Sequence, residues 1–302
     1  MRVAIIGAGL AGLAAARVLR EAGLAPVNYD KGRGVGGRLS TRRADGGLQF
    51  DHGAQYLPAT DAGFAAALRE AEDAGAATQW HLPTGAKTVG LPGMSGLAKH
   101  FADGADIRQG VEIQSLQQDS AGWTIAGEPY DRVICTVPAP QAARLLGPDH
   151  PLTEALLGVV MDPNLTLMLA LPASGAAFET HRDAEDDIAW LALDSAKHKR
   201  PGPQCWVAQA GLAWSKDNLE HDKPEIANRM LPMVCKRLGA DPDDALYVSA
   251  HRWRYAQAST PLGEPFLNTD TLYVGGDWAL SSRAEGAWLS GTAMAHALLE
   301  TR

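Results

Sequence analysis

Three glycines near the N-terminus have the spacing that lets a chain wrap around a diphosphate. Gly7, Gly9 and Gly12 form a Gly-x-Gly-x-x-Gly pattern directly after the apolar run at residues 2–6. Gly7 permits a tight turn, Gly9 lets the backbone approach the diphosphate, and Gly12 lets a helix pack closely on a strand. A helix that begins here would also offer free N–H groups and a partial positive charge. The pattern therefore predicts a dinucleotide-binding site.

The neighbouring elements place these glycines in a β-α-β unit. Residues 2–6 read as a strand, residues 13–22 as a helix that ends at Gly23, and residues 26–30 as a second strand. Asp30 closes the second strand, where a carboxylate can accept hydrogen bonds from the hydroxyls of a ribose. An acid at this position disfavours a 2′-phosphate on that ribose.

The residues after Asp30 favour a flavin dinucleotide over a nicotinamide one. Lys31 follows at once, and Gly36 and Gly37 then precede Arg38. A pair of glycines allows a sharp turn, which would bring Arg38 back towards the diphosphate. Together these residues resemble the flavin-binding motif of the amine-oxidase superfamily.

Two later segments support a flavin. Gly53 and Ala54 are small residues in a row, so a flat ring system could lie against their backbone, with Gln55 and Tyr56 beside it. His52, just before them, is predicted to be structural rather than catalytic.

Near the C-terminus, Gly276 and Asp277 are followed by Glu285, Gly286, Ala287 and Trp288, which reads as strand, turn and helix start. In flavoproteins of this kind the aspartate contacts the ribityl–diphosphate region. The helix start faces the N1–C2=O edge of the flavin, where negative charge collects on reduction.

The chain as a whole resembles bacterial renalase-like flavoproteins. The similar patches are residues 30–38, 53–56, 92–95, 161–163, 251–256, 276–278 and 285–291. The resemblance implies an α/β (mixed α+β) fold of the p-hydroxybenzoate-hydroxylase/amine-oxidase type. A Rossmann-like FAD-binding domain at 1–58, 93–147 and 266–302 is interleaved with a substrate domain on a mixed β-sheet at 59–92 and 148–265. It also implies an oxidase that converts 2- or 6-dihydro isomers of NAD(P)H to NAD(P)+ by hydride transfer to flavin N5, with O2 reduced to H2O2.

The predicted site residues follow from these motifs. The candidates for binding FAD are Gly7, Gly9, Ala11, Gly12, Asp30, Lys31, Gly37, Arg38, Gly53, Ala54, Gln55, Tyr56, Val111, Gly276, Asp277, Glu285, Gly286, Ala287 and Trp288. No cysteine lies in the C-terminal flavin segment, so we expect non-covalent FAD.

Hydride transfer from a dihydropyridine requires orientation and electrostatics rather than an acid–base pair, and the sequence offers no such pair. Trp288 and Tyr56 are candidate pocket walls. His251, Arg252, Trp253 and Tyr255 are candidate substrate contacts, and His251 with Arg252 and Arg254 would form a cationic cluster for a dinucleotide diphosphate.

Two other functions stay open at this point. The aromatic residues could form a cage for a small amine, as in a flavin amine oxidase. The lack of any indispensable catalytic residue is also compatible with a flavin-binding protein that has no turnover.

Composition excludes several classes of protein. The 302 residues include 27 Lys+Arg and 35 Asp+Glu, for a net charge of −8. This acidic balance argues against binding to nucleic acid or to anionic membranes. Three cysteines without metal-ligand spacing suit a reducing compartment and give no metal site. Beyond the glycine-interrupted N-terminal run, no apolar stretch approaches the roughly 20 residues of a membrane span. We therefore expect no metal, no membrane association and a cytoplasmic location. The expected partners are a dinucleotide substrate and O2, and the sequence leaves the oligomeric state open.

Overall fold

The structure, a computed structural model, describes residues 1–120, 122–199 and 202–301. Within these ranges the chain forms eighteen strands, which are β1 (Val3–Ile6), β2 (Val27–Asp30), β3 (Thr41–Arg43), β4 (Gln49–Asp51), β5 (Ala77–Leu82), β6 (Gly85–Gly90), β7 (Asp106–Gln109), β8 (Gln118–Asp119), β9 (Gly122–Ile125), β10 (Glu128–Tyr130), β11 (Arg132–Cys135), β12 (Val160–Leu171), β13 (Thr180–Arg182), β14 (Trp190–Leu193), β15 (Gln204–Gln209), β16 (Tyr247–Thr260), β17 (Phe266–Asn268) and β18 (Leu272–Gly275).

The same ranges contain nine α-helices, which are α1 (Leu10–Glu21), α2 (Ala62–Asp73), α3 (Met94–Phe101), α4 (Ala139–Leu146), α5 (Thr153–Leu157), α6 (Leu212–Asp217), α7 (Lys223–Leu238), α8 (Asp277–Leu280) and α9 (Ala284–Glu300). Short 3-10 turns lie at Asp45–Gly47, Asp194–Lys199 and Pro242–Asp244.

A six-stranded sheet in the order β17-β18-β11-β1-β2-β7 forms the first layer. Its strands are parallel except for β17 at the edge. β1 consists of four apolar residues that are all buried, as a central parallel strand requires because both of its faces are covered. The chain runs from β1 outwards to β2 and β7, then crosses to the other side of β1 for β11 and β18. The strand order therefore reverses between β1 and β11, which is where α/β sheets bind ligands.

Helices α1 and α9 pack together on one face of this sheet. Their shared core contains Ile5, Leu19, Ile134, Met294 and Leu298, all fully buried. Small residues let the two backbones approach closely, since a Cβ on Gly291 of α9 would meet the backbone of Ala11 in α1. Helix α1 follows β1, and α9 follows β18 and the short helix α8, so both helices begin near the carboxyl ends of these strands.

A five-stranded sheet in the order β13-β14-β15-β12-β16 forms the second layer. All of its pairings are antiparallel, where we expected a mixed sheet. The short connections from β13 through β14 to β15 favour antiparallel pairing, because parallel strands need long crossovers. Helix α7 covers one face. Its N-cap is Asp222, whose carboxylate accepts from the N–H of Glu225 at 2.8 Å, and its C-cap is Gly239, in the left-handed region.

This arrangement confirms the predicted α/β fold class with a Rossmann-like layer. Helix α5 precedes the long strand β12 and packs on α4, with Leu156 in the buried cluster that contains residues of the six-stranded sheet. Helix α9 begins at Ala284, where the extended backbone of Arg283 provides the N-cap, so Glu285 to Trp288 lie at its start as expected.

Candidate flavin and substrate site

A cavity of about 960 Å³ lies between the two sheets. One side is formed by the carboxyl ends of β1, β2, β11 and β18, at the point where the strand order reverses. The other side is formed by β12, β15 and β16 of the five-stranded sheet. Cavities of a few hundred to about 1,000 Å³ are typical of small-molecule and cofactor sites.

Most of the predicted flavin-binding residues line this cavity. They are Gly7, Gly9, Ala11, Asp30, Lys31, Gly37, Arg38, Gly53, Ala54, Val111, Gly276, Asp277 and Ala287. Gly12, Gln55, Tyr56, Glu285, Gly286 and Trp288 lie outside it among the described residues.

The first glycine turn has an open face and a closed face. A Cβ on Gly12 would lie 2.2 Å from the carbonyl oxygen of Gly7, so this glycine allows α1 to pack against the turn. Gly7 itself has φ +110°, which disfavours any side chain there. A Cβ on Gly9 would meet nothing within 4 Å, because Gly9 faces the cavity. A ligand phosphate can therefore approach the Gly9 backbone and the N-terminus of α1.

Asp30 already holds two parts of the turn together. Its Oδ2 accepts from the N–H of Ala8 and its Oδ1 from the N–H of Gly32, both at 2.6 Å. Each carboxylate oxygen has two lone pairs, so both retain capacity for a hydroxyl donor from the cavity side. Asp30 thus has a structural task that the sequence pattern did not indicate.

Arg38 and Asp277 meet across the cavity wall. The guanidinium makes two hydrogen bonds to the carboxylate, at 2.7 and 2.6 Å, and a third to the carbonyl of Ala256 at 2.7 Å. The Asp277 side chain is 7% exposed and that of Arg38 is 33% exposed. Burial lowers the pKa of Arg38, and the charge and hydrogen bonds of Asp277 raise it, with a net rise.

Gln55 lies behind the cavity wall and supports it. Its amide donates to the carbonyls of Asp51 and Gly53, and its Oε1 accepts from Lys197 at 3.3 Å. The ammonium of Lys197 is fully buried and lies 2.7 Å from Asp194 and 3.6 Å from Asp51, both also fully buried. This polar cluster fixes the segment whose outer residues, Gly53 and Ala54, face the cavity.

The aromatic residues expected as pocket walls have other neighbours. The indole of Trp288 packs between Phe64 and Phe101, with centroids 5.7 and 5.3 Å away, in the hydrophobic core. Tyr56 lies edge-on to Trp190 at 6.0 Å. Each side chain leaves the backbone on the core side, and aromatic residue type alone does not indicate that direction.

Glu285 also points away from the cavity. Its carboxylate accepts from the N–H groups of Thr60 and Asp61 at 2.5 and 2.6 Å. These contacts, with the Asp61 N–H foremost, hold the pKa of Glu285 below its ordinary value. The first turn of α9 therefore presents its backbone near Ala284 and Ala287, both of which line the cavity, without a carboxylate beside it.

Two histidines and a tryptophan cluster at the five-stranded sheet. Trp253 stacks on His52 at 5.4 Å, His251 lies 4.2 Å from Trp253, and the indole N–H of Trp253 donates to the His52 carbonyl at 2.9 Å. Burial lowers the pKa of His52 to about 4, and burial with the nearby His52 lowers the pKa of His251 to about 3. Both imidazoles are neutral at pH 7, so His251 is not the cation that the sequence suggested.

Arg252 and Arg254, which we expected to form a cationic cluster with His251, both line the cavity and both have partners within the protein. Arg252 donates to the carbonyls of Leu219 and His221 at 2.8 and 3.2 Å, although it still lines the cavity. Arg254 pairs with exposed Glu220 at 2.7 Å. Successive side chains alternate across a strand, so neighbours in sequence on β16 have different surroundings.

The hydroxyl of Tyr255 accepts from Arg144 of α4 at 3.2 Å, and both line the cavity. Residues from the two layers thus meet at this part of the wall.

The sequence analysis missed several cavity-lining residues, among them two amides on the substrate side. Asn164 of β12 and Gln209 of β15 face the same cavity as His251 and Trp253. One sequence signal could have indicated Asn164. Along β12 the alternate residues change from polar, at Asn164 and Thr166, to apolar, at Met168 and Ala170.

The described residues fit an FAD group. One cavity contacts the open backbone of Gly9, the carboxylate of Asp30 with its unused lone pairs, and the small residues Gly53 and Ala54. The same cavity is lined by Asp277 and Ala287. No group of three or more potential metal-ligating His, Cys, Asp or Glu side chains is found in the part of the chain that the structure describes.

Comparison with known proteins identifies the class. A family profile described as flavin-containing amine oxidoreductase matches residues 63–299, and a profile described as an NAD(P)-binding Rossmann-like domain matches residues 5–70. The chain belongs to the flavin-containing amine oxidoreductase family, which implies a flavin cofactor.

Individual relatives are more distant. Renalase from Mus musculus is 23% identical, over 94% of this chain and 95% of that protein. A putative protoporphyrinogen oxidase from Exiguobacterium sp. 255-15 has TM-score 0.77 at 15% identity, covering 99% of each chain. Wild-type putrescine oxidase bound to putrescine has TM-score 0.66 at 14% identity, also covering 99% of each chain. These structures show that the fold is the amine-oxidase fold.

Among the residues described, no helix is both long enough and apolar enough to cross a bilayer.

Proposed function

We propose that the protein is an oxidase with non-covalent FAD that converts 2- or 6-dihydro isomers of NAD(P)H to NAD(P)+. In this reaction the substrate loses a hydride, O2 and one proton from solvent complete the balance, and H2O2 is released. Non-covalent binding is supported by the three cysteines, which are buried and do not line the cavity. The renalase relative supports the substrate class, at 23% identity.

The observation that carries the proposal is the absence of a carboxylate on the substrate side of the cavity. Among the described residues, the lining from β12, β15 and β16 contains no Asp or Glu; its charged side chains are Arg252 and Arg254, and its histidine is neutral. An ammonium substrate would lack a carboxylate partner here, whereas a dihydropyridine ring is uncharged. The ring loses a hydride without losing a proton, so no general base is needed.

The chain's own residues supply orientation and electrostatics. The bound flavin supplies the hydride acceptor. Trp253, fixed by its hydrogen bond to His52, provides a flat surface on which a pyridine ring can stack. The N-terminal turn of α9 provides a partial positive charge at the other side of the cavity, which stabilises negative charge that develops there.

Anaerobic mixing tests the proposal. Holoprotein is mixed with the NAD isomers that borohydride reduction of NAD+ generates, and the visible absorbance of the flavin is followed. We expect bleaching within seconds with the isomer mixture and little change with ordinary β-NADH. No bleaching by the isomers, together with bleaching by β-NADH or by an amine, contradicts the proposal.

Amine oxidation is the second candidate. It is favoured by two aromatic residues of β16 that line the cavity, Trp253 and Tyr255, which could flank a small amine. A peroxide assay over a panel of primary amines and polyamines separates the two functions. Turnover of an amine at a catalytic rate, without reaction of the dihydronicotinamide isomers, would establish this alternative.

A further inference from the structure

Five side chains form a patch on one face of the five-stranded sheet. Thr166 of β12 lies directly opposite Gln209 of β15 and His251 of β16, and Asn164 lies opposite Trp253. Directly opposed residues of antiparallel strands share a face, and diagonal neighbours are about 7–8 Å apart. Asn164 and Gln209 can therefore contact the same small chemical group.

The chemistry of this face changes along the strands. Further from the cavity, Met168, Ala170 and Val207 lie on the same face and pack against Phe50 in a buried apolar cluster. At the cavity end, Asn164 and Gln209 take the places of apolar residues and are only half-buried. A polar group facing an interior is the informative exception, because it must be matched by a hydrogen-bond partner.

The internal hydrogen bonds orient both amides and leave part of each unused. Asn164 donates one N–H to the carbonyl of Ala210 at 3.0 Å and accepts from the hydroxyl of Thr166 at 2.9 Å. Gln209 donates one N–H to the carbonyl of Gly53 at 2.9 Å. A carbonyl can only accept, so the nitrogen of each amide is identified. Since an amide has two N–H donors and two oxygen lone pairs, each side chain keeps a donor and an acceptor for a ligand.

We propose that Asn164 and Gln209 bind a primary carboxamide on the substrate ring, with Trp253 as the stacking surface; this rests on the proposed function for the identity of the ring. A carboxamide presents one acceptor and two donors in a plane, which complements the unused donor and acceptor of each side chain. The same wall contains no carboxylate or lysine among its described residues, and its two arginines already have partners, Arg252 in the carbonyls of Leu219 and His221 and Arg254 in Glu220. The two amides thereby fix which edge of the ring faces the sheet.

A pair of small probes isolates the carboxamide. Nicotinamide and 3-acetylpyridine have the same ring and carbonyl, but a methyl group replaces the amide nitrogen in the second. Binding of each probe to oxidised holoprotein is measured by titration calorimetry, which requires no turnover. We expect nicotinamide to bind about tenfold more tightly, because one or two hydrogen bonds of about 0.5–1.5 kcal/mol separate the probes.

The variants are Asn164→Leu and Gln209→Leu, each of which removes one amide from the wall. In each we expect the preference for nicotinamide to fall to about twofold or less, since the amide nitrogen loses an acceptor. Gln204→Leu is the matched control. Gln204 is at the other end of β15, accepts from the Trp206 indole at 3.2 Å and does not line the cavity, so its loss leaves the preference unchanged.

The two variants lie on different strands, so either one that folds and retains flavin is sufficient for the test. No binding of nicotinamide to wild type, or an unchanged preference in a folded variant, overturns the inference. These results are independent of the reaction. If dihydronicotinamide isomers fail to bleach the flavin while the preference falls as expected, the proposed function is wrong and the carboxamide site stands. If the isomers bleach the flavin and the preference for nicotinamide is unchanged in the variants, the carboxamide site is wrong and the proposed function stands.

Discussion

Arg38 and Asp277 lie 239 positions apart in the chain and form an ion pair with two hydrogen bonds, at 2.7 and 2.6 Å. Arg38 belongs to the turn after β2, and Asp277 begins α8 after β18. The third hydrogen bond of the guanidinium reaches the carbonyl of Ala256 in β16. One side chain therefore connects the first and last parts of the Rossmann-like layer with the five-stranded sheet, at the wall of the cavity.

Removal of Arg38 should destabilise the apoprotein as well as weaken flavin binding. Arg38→Met leaves the nearly buried Asp277 carboxylate without its guanidinium, which we expect to lower the free energy of unfolding by about 3 kcal/mol. The double variant Arg38→Met with Asp277→Asn removes the charge and should recover part of that loss. Urea unfolding of the apoproteins measures both values.

The exposed pair Arg229–Glu225 on α7 is a matched control, since its side chains are 46% and 45% exposed. Arg229→Met should cost less than about 1 kcal/mol. Strictly additive effects of Arg38→Met and Asp277→Asn would mean that the pair contributes no coupling energy.

Lys197 should be far more important for stability than its residue type suggests. Lys197→Met removes the ammonium between the buried carboxylates of Asp51 and Asp194, which we expect to lower the free energy of unfolding by about 3–5 kcal/mol. Lys236→Met, at an exposed position of α7, should change it by less than about 0.5 kcal/mol. Thermal and urea unfolding provide the comparison, and similar losses in the two variants would contradict the structural role.

The sequence predicted those parts of the site that depend on local geometry. Gly7, Gly9 and Gly12 lie within one turn, so their spacing specifies the β-α-β unit, and Asp30 follows from the same unit. Sequence could not pair Arg38 with Asp277, because that contact depends on the return of the last strand beside the first ones. It also could not assign Lys197 to a buried cluster, since lysine is normally exposed.

The buried histidines predict how stability depends on pH. The pKa of His52 is about 4 in the folded protein, below its ordinary value of 6.5, so the unfolded chain binds the proton more tightly. The resulting stability is complete above pH 6.5 and is lost as the pH falls from there towards 4. The slope contributed by one such histidine is at most about 1.4 kcal/mol per pH unit.

His52→Phe retains a ring that can stack on Trp253 but cannot bind a proton. We expect its free energy of unfolding to fall less steeply than that of wild type between pH 6.5 and 4, when both are measured in urea. His296→Gln, at an exposed position of α9, should keep the wild-type slope. Parallel curves for wild type and His52→Phe would show that His52 is protonated in the folded protein over this range.

Substrate-side residues were harder to predict than flavin-side residues for a physical reason. Asn164 and Gln209 are short polar residues in strands, which sequence does not distinguish from solvent-facing positions. Trp288 and Tyr56 are aromatic residues beside correctly placed motifs, yet Trp288 is buried in the core and the half-buried Tyr56 packs against the same core. The surroundings of Asn164 and Gln209 are set by the register of strands far apart in sequence, such as Thr166 opposite His251. Those of Trp288 and Tyr56 are set by the tertiary packing of α9 and of the segment after β4.

Asp30 offers a test of the flavin assignment that is independent of the substrate. Its two oxygens accept from Ala8 and Gly32 in the protein, and the remaining lone pairs are available to the ribose hydroxyls of FAD. Asp30→Asn replaces one acceptor oxygen with a donor, so an N–H in the turn loses its acceptor and the charge-assisted contact to the ribose is lost. We expect FAD affinity to fall by about tenfold to a hundredfold, equivalent to about 1.4–2.7 kcal/mol.

Titration of the Asp30→Asn apoprotein with FAD, and with riboflavin as the control, separates the two effects of this substitution. Riboflavin has no adenosine ribose, so its binding is weakened only by the disturbed turn. We expect a much larger loss for FAD than for riboflavin, and an unchanged visible spectrum of the flavin that remains bound, because the ribose is remote from the flavin ring. Equal losses for the two ligands would assign Asp30 to the turn alone, and the ribose contact predicted from the β-α-β unit would be wrong.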